Sequence, residues 1–367
     1  MMQPLSTDEL DYELPERLIA TRPAEPRDAA RMLVLHRHHD TIEHRHVRDL
    51  PEYVQRGDAL VFNTTAVTPA RLLGQRADTG GRVEGLFLND NTNAGHATTW
   101  QVMLKSNGKL KAHQRVILHD TTGHASPFEI ELLERADETW LVKVHSDDHT
   151  ATILEQIGRT PLPPYILRAR GEQTQADALD RAWYQTVYAS SEQAHRRSVA
   201  APTAGLHFTP TLLDQLTQRG AQRLDVLLHV GAGTFKPITA ATLDQHQMHR
   251  EQYEVPAATL AALRQIKHDG TGRVIAIGTT TVRTLESLPD PLPTTHAPIR
   301  SETNLLISPG YSWRYVDALL TNFHLPRSTL LALVGAMTGL ERLKAVYAEA
   351  ISRDYRFYSY GDAMLIL

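Results

Sequence analysis

The 367-residue sequence contains no cysteine. Disulfide scaffolds, zinc fingers, thiol nucleophiles and cysteine-held iron–sulfur clusters are therefore excluded, including the clusters of radical enzymes. Long apolar runs are also missing. The longest, from Leu330 to Leu340, is interrupted by Gly335, Thr338 and Gly339 and is too short to span a bilayer. The first twenty residues carry Asp8, Glu9, Asp11, Glu13 and Glu16 with no apolar stretch, so no secretory signal is expected. Neither GxxxxGK(S/T) nor GxSxG occurs, which argues against a P-loop nucleotidase and an α/β-hydrolase. There is no excess of positive charge either, because 38 Lys and Arg stand against 42 Asp and Glu. Any contact with nucleic acid has to come from a local patch.

What is present fits a soluble globular protein. Hydrophobic residues at 41% and charged residues at 22% allow a substantial core. The length suggests two domains, or one large domain with an insertion. A cytoplasmic monomer without membrane association is the expectation.

Two regimes appear along the chain. From Arg71 to Val144 short strands alternate with turn signals: Gly80-Gly81, Arg82–Leu88, Asn89–Gly95, Trp100–Leu104, Asn107-Gly108, Val116–Leu118, Phe128–Leu133 and Trp140–Val144. This spacing suggests hairpins closing a small barrel. Elsewhere apolar runs precede helical periodicity. Arg273–Gly278 (RVIAIG) is apolar on both pleat faces, as a strand inside a parallel sheet would be, and Asp225–Gly231 (DVLLHVG) is similar. Thr209-Pro210 reads as an N-cap followed by proline at the first helical position, with Leu212, Leu213 and Leu216 as the stripe and Gly220 as the stop. Leu260, Leu263 and Ile266 mark a second helix, ended near Gly270, and Glu341–Asp354 a third. The expected fold class is α/β, with a main discontinuous domain (1–69 and 152–367) carrying a smaller inserted β-barrel (70–151).

Four junctions follow one design, an apolar run and then a polar or Gly-rich turn: Ser198–Thr209, Leu228–Pro237, Ile275–Glu286 and Leu319–Thr329. Ligands of open α/β sheets bind beyond the carboxyl ends of strands, so His207, His229, Thr279, Thr280, Thr281, Arg283, Glu286, His324 and Arg327 would gather there. Free amides at a helix start favour an anionic group. Gly231-Ala232-Gly233 lacks the third glycine of a dinucleotide fingerprint and reads as a tight turn. Nineteen histidines raise the question of a metal. His36, His38, His39, His44 and His46 fall in a charged stretch that reads as a solvated turn between strands. His246, His249 and Glu251 have near-ligand spacing without HExxH, and no metal is expected. Two basic runs, Lys105, Lys109, Lys111, His113 and Arg115 on the barrel and His195, Arg196 and Arg197 before the first junction, could touch phosphate. They lack interleaved aromatics and read foremost as solvated faces.

At these junctions the chain resembles the S-adenosylmethionine:tRNA ribosyltransferase-isomerase family of queuosine biosynthesis. The similarity spans nearly the whole length, through LDYELPERLIATRPAEPRDAARMLVL, GDALVFN, TPARLLG, TPLPPYI, YQTVYA, SVAAPTAGLHFT, LHVGAGTFKPI, MHREQYEV, GTTTVRTLES, PGYSWRYVDALLTNFHLPRSTLLALVGA and YRFYSYGDAMLI. The resemblance implies an α/β domain with an inserted barrel. It also implies a reaction in which S-adenosylmethionine donates its ribosyl group to 7-aminomethyl-7-deazaguanine at the tRNA wobble position. Epoxyqueuosine forms, adenine and methionine leave, and no metal or further cofactor takes part.

Carried onto this chain, the resemblance assigns acid–base roles to His207, His229, Glu286 and His324. Substrate contacts would come from Asn63, Arg71, Thr203, Gly231, Gly233, Thr234, His249, Glu251, Thr279, Thr280, Arg283, Asn322 and Arg327. Arg71, Arg283 and Arg327 could hold the methionine carboxylate, a ribose oxygen or a tRNA phosphate. Lys105, Lys109, Lys111, Arg196 and Arg197 would be the tRNA contacts. The sequence departs from the family pattern at Thr64, Ala66 and Arg197, where an acid or amide, an arginine and a glycine are usual. A divergent S-adenosylmethionine user with another acceptor, and a catalytically silent tRNA-binding protein, stay open as alternatives.

Overall fold

The computed structural model describes residues 5–39, 41–91, 98–171, 177–192, 196–231 and 238–367. The chain forms two compact units, one comprising Met1–Ala66, Pro164–Gln173 and Gln185–Leu367, the other Val67–Pro163 and Thr174–Tyr184.

The first unit is built on a nine-stranded sheet. Its strand order is Ile299–Thr303, Glu251–Val255, Gln222–Leu228, Ala59–Asn63, Val274–Ile277, Ala318–Asn322, Ala363–Ile366, Arg31–His36, Thr41–His46. The four strands from Gln222–Leu228 to Ala318–Asn322 run parallel to their neighbours, so their carboxyl ends share one edge. Antiparallel partners flank them on both sides. These central strands lack polar alternation because both sheet faces are covered. Val61, Val274 and Ala276 join one core with Leu260, Leu263 and Ile266 of the Ala257–Asp269 helix. Leu60, Phe62, Ile275 and Ile277 join another with Phe208, Leu212 and Leu216. Helix Pro210–Gln218 begins as its sequence foretells, with Thr209 accepting the Leu212 N–H and proline at the start.

The charged stretch after Leu35 differs from expectation. Arg31–His36 and Thr41–His46 form an antiparallel hairpin, and only its tip, with His38 and His39, is exposed turn. His36 pairs with Glu43 at 2.7 Å, and His44 meets the Tyr355 hydroxyl at 2.8 Å. The alternation was hidden because these residues exchange charge and hydrogen bonds instead of burying apolar atoms. Among the described residues no group of three His, Asp or Glu could hold a metal, and no helix is long and apolar enough to cross a membrane.

The second unit is a closed six-stranded antiparallel barrel made by Arg71–Arg76, Arg82–Asp90, Thr99–Ser106, Arg115–His119, Ala125–Ala136 and Thr139–His145. Trp100, Val102, Val116, Ile130, Leu132 and Val142 alternate inward. Gly74 has no side chain because a Cβ there would stand 2.5 Å from the Ile117 carbonyl oxygen. The unit reaches beyond the 70–151 span expected for the insertion. Helix Thr150–Ile157 buries Ile153, Leu154 and Ile157, and its Thr150 hydroxyl accepts the Trp100 indole N–H at 2.9 Å. Helix Asp177–Trp183 joins it through Arg181, which donates to Asp177, Glu155 and the Gly158 carbonyl. Those side-chain anchors leave no compositional trace of the boundary.

Candidate active site

A cavity of about 250 Å³ opens in the first unit at the carboxyl edge of the parallel strands. Each wall has a local cause. Strand Val274–Ile277 ends at Gly278, whose φ of 90° and ψ of 155° are open only to glycine. That turn swings helix Thr279–Glu286 off the sheet and leaves Thr279 and Thr280 on the cavity wall. Strand Ala318–Asn322 runs on into Phe323, His324, Leu325 and Pro326, which line the floor. The 3-10 turn Thr203–His207 supplies Thr203 and Ala204, and Tyr165, Arg168, Tyr358 and Ser359 complete the rim.

Asn322 ties three of these segments together. Its Oδ1 accepts from the Thr203 hydroxyl at 2.9 Å, and its Nδ2 donates to the Tyr358 carbonyl at 3.0 Å. Tyr165 is bonded through its hydroxyl to Ser359 and lies 4.7 Å, centroid to centroid, from the Tyr358 ring. His324 is buried, with Nε2 2.8 Å from the Thr321 hydroxyl. Burial pushes its pKa down to about 3, so the imidazole is neutral. Its Nδ1 has no hydrogen-bond partner among the described residues. The walls are thus mostly apolar, with a few convergent polar groups, as small-molecule sites usually are. No carboxylate lines the cavity among the described residues.

With that geometry in view, the comparisons with known proteins decide the family. The profile described as "Queuosine biosynthesis protein" matches residues 7–366. The chain belongs to this family. It is 47% identical over 363 residues to the S-adenosylmethionine:tRNA ribosyltransferase-isomerase of Gloeobacter violaceus, covering 98% of this chain and 96% of that one. It is 44% identical to the protein of the same name from Symbiobacterium thermophilum, covering 98% and 99%. The crystal structure of the S-adenosylmethionine tRNA ribosyltransferase from Thermotoga maritima is similar at a TM-score of 0.53 and 35% identity, covering 98% of this chain and all of that one.

Within this family fold, the expected site residues separate into three groups. Thr203, Thr279, Thr280, Asn322 and His324 come together around the cavity. A second group serves the frame around it. Asn63 sits on the carboxyl end of its strand, where it exchanges two hydrogen bonds of 3.0 Å with the Leu228 backbone and reaches Thr280 at 3.3 Å. His207 is buried, with Nδ1 3.1 Å from the Ala204 carbonyl and Nε2 2.9 Å from that of Gly361. Burial lowers its pKa. The neutral ring carries one N–H, so it donates to one of these carbonyls and rests against the other, a placement that suits pinning the 3-10 turn better than the acid–base role expected of His207. Glu286, also expected to be catalytic, is fully buried and accepts from the Tyr311 hydroxyl and the Arg314, Tyr315 and Val316 amides at 3.0–3.1 Å. It clamps the 311–316 loop and has no spare lone pair for chemistry. Glu251 and Arg283 form a buried ion pair, which also accepts the Gly231 N–H at 3.2 Å and donates to the Leu305 carbonyl. Arg283 thus commits Nε and Nη1 inside the protein, while its buried Nη2 makes no hydrogen bond among the described residues. His229 is half-buried, and its Nδ1 lies 3.2 Å from the Thr65 hydroxyl.

The third group lies elsewhere. Arg327 binds Asp8 at 2.6 Å and holds the amino-terminal segment, while His249 is exposed. Arg71 belongs to the barrel unit and stands 3.6 Å from Glu84. Lys105, Lys109 and Lys111 are exposed on that unit. Gly233, Thr234 and His195 lie outside the described residues, as do the side chains of Arg196 and Arg197. The residues missed were Tyr165, Arg168, Tyr358 and Ser359. They stand in the TPLPPYI–Arg168 and YSYGD stretches, distant in sequence from the junctions that drew the search.

Proposed function

We propose that the chain is an S-adenosylmethionine:tRNA ribosyltransferase-isomerase. It transfers and isomerises the ribosyl group of S-adenosylmethionine onto 7-aminomethyl-7-deazaguanine at the tRNA wobble position. Epoxyqueuosine is formed, and adenine and methionine are released. One observation carries the reading: the APTAG, GTTT and TNFHLP blocks that unite the chain with its family converge on a single cavity. The substrates are S-adenosylmethionine and tRNA, and the protein acts in the cytoplasm as a monomer.

The donor is already activated. Its sulfonium acidifies the adjacent ribose carbon, so loss of a proton gives an ylide whose rearrangement expels adenine. No metal or further cofactor is needed for that sequence. The chain's task is to bind, orient and move protons. The Tyr165 and Tyr358 rings suit a sulfonium in a wall that has no carboxylate among the described residues. Asn322, Thr203, Thr279 and Thr280 offer hydroxyl and amide partners for ribose oxygens. His324 is the histidine on the wall, held in its neutral form with Nδ1 unengaged. General acid–base help from a group tuned near the working pH is worth about 10²–10⁴ in rate, and a ring held as low as His324 is expected at or below the foot of that range.

The test uses donor labelled with carbon-13 throughout its ribose, together with tRNA bearing 7-aminomethyl-7-deazaguanine. The five labelled carbons are expected in the wobble nucleoside. Labelled donor breakdown products with unlabelled tRNA would reject the transfer. Label in tRNA at another nucleoside would replace the acceptor.

A further inference from the structure

We infer that Arg168 anchors the α-carboxylate of the donor's amino-acid end, an inference that rests on the proposed function. None of the three arginines expected to do this from sequence lines the cavity: Arg283 pairs with Glu251 and keeps an unbonded Nη2 away from that wall, Arg327 pairs with Asp8, and Arg71 stands opposite Glu84 in the barrel unit. Arg168 alone among the described arginines lines the cavity.

Its placement follows from the short helix Pro164–Arg170. Tyr165 and Arg168 are three residues apart, so they share one helix face, and both line the cavity. Tyr165 fixes that face through its hydroxyl bond to Ser359, whose own N–H donates back at 3.1 Å. The other basic residue of the last turn, Arg170, donates to the Thr21 carbonyl at 2.9 Å and is committed to the fold. Arg168 is exposed, and its side chain makes no hydrogen bond or ion pair among the described residues.

Charge selects the ligand group. With His324 neutral, Arg168 is the one charged side chain on the wall among the described residues. S-adenosylmethionine carries one anionic group, its carboxylate, and a planar guanidinium meets a carboxylate with two parallel hydrogen bonds. The carboxylate at the rim orients the chain of the amino acid so that the sulfonium lies inward, against the apolar and aromatic wall.

The experiment compares S-adenosylmethionine with its decarboxylated analogue on the full-length protein, by calorimetric binding. Wild type is expected to bind the decarboxylated donor about 10- to 100-fold more weakly. Arg168→Gln is expected to bind S-adenosylmethionine weaker by the same factor and to lose the discrimination, with a ratio near one. Arg168→Lys, a point charge without the fork, should fall between them. Melting temperature and tRNA affinity should stay at wild-type values in both variants, because Arg168 holds nothing in the fold. Full discrimination retained by Arg168→Gln would overturn the inference. So would a loss of tRNA affinity with unchanged donor affinity, which would make Arg168 a phosphate contact. Binding of neither donor by wild type would remove the inference together with the reading beneath it. If wild type binds the donor but never releases adenine, the reaction assignment fails while the discrimination ratio still decides the role of Arg168.

Discussion

At the scale of single residues, chemistry and support have to be told apart, and burial with full hydrogen bonding is what separates them. Glu286 and His324 are both buried and both sit at strand-end junctions, yet Glu286 is fully hydrogen-bonded while His324, on the cavity wall, keeps an unengaged ring nitrogen. His324→Gln retains a hydrogen-bonding group for Thr321 and should lower turnover at least about tenfold while shifting the melting temperature little. Turnover near wild type, measured by adenine release, would take the acid–base role from this position. Glu286→Ala should act in the opposite way. Removing the carboxylate strands three buried amides of the 314–316 segment, so a loss of about 3–5 kcal/mol is expected in urea unfolding. From sequence, a carboxylate in GTTTVRTLES can be read as acid, base or clamp. Its four partners lie 25 to 30 residues downstream, beyond any local pattern.

At the scale of elements, much was legible because it rests on local rules. The Thr209-Pro210 cap, the Gly270 stop in left-handed conformation and the doubly buried Val274–Ile277 strand follow from hydrogen bonding and covering of both faces. The barrel hairpins follow from period-two burial between glycine-bearing turns. The His36–His46 hairpin was missed because it carries no apolar alternation. The helix bearing Tyr165 and Arg168 was missed as a site element because it follows none of the four strand-end junctions. Gly278 is where element geometry meets the site. A Cβ there has room, since the nearest atom would be Ala204 Cβ at 3.5 Å, so any penalty comes from the backbone. Gly278→Ala should cost about 1–3 kcal/mol. It should also weaken donor binding by displacing Thr279 and Thr280. Unchanged melting and unchanged donor affinity would show that the turn tolerates another conformation.

At the scale of the whole molecule, the two buried histidines link folding to pH. His207 and His324 are held below their usual pKa by burial, and the unfolded chain takes up their protons first. Their stabilising contribution is complete above about pH 6.5, the value of a free imidazole, and declines as pH falls toward about 3 for His324. Urea midpoints measured from pH 7.5 to 5 should fall with acidity in wild type. The slope should be shallower in a His207→Gln/His324→Gln variant, and equal slopes would contradict the linkage. The overall formal charge of −4 leaves the tRNA to be met by local patches, and the amino acids at Thr64 and Ala66, unlike the family pattern, are buried within the first unit. Their replacement of an acid or amide and an arginine is compatible with function only if the cavity supplies what the reaction needs.

The most direct test of that claim follows adenine release and the mass of the wobble nucleoside together, in one reaction with S-adenosylmethionine and tRNA bearing 7-aminomethyl-7-deazaguanine. One adenine per epoxyqueuosine, with neither formed when tRNA is omitted, is the expected result. Adenine without the nucleoside, or neither product from folded protein that binds both substrates, would contradict the account.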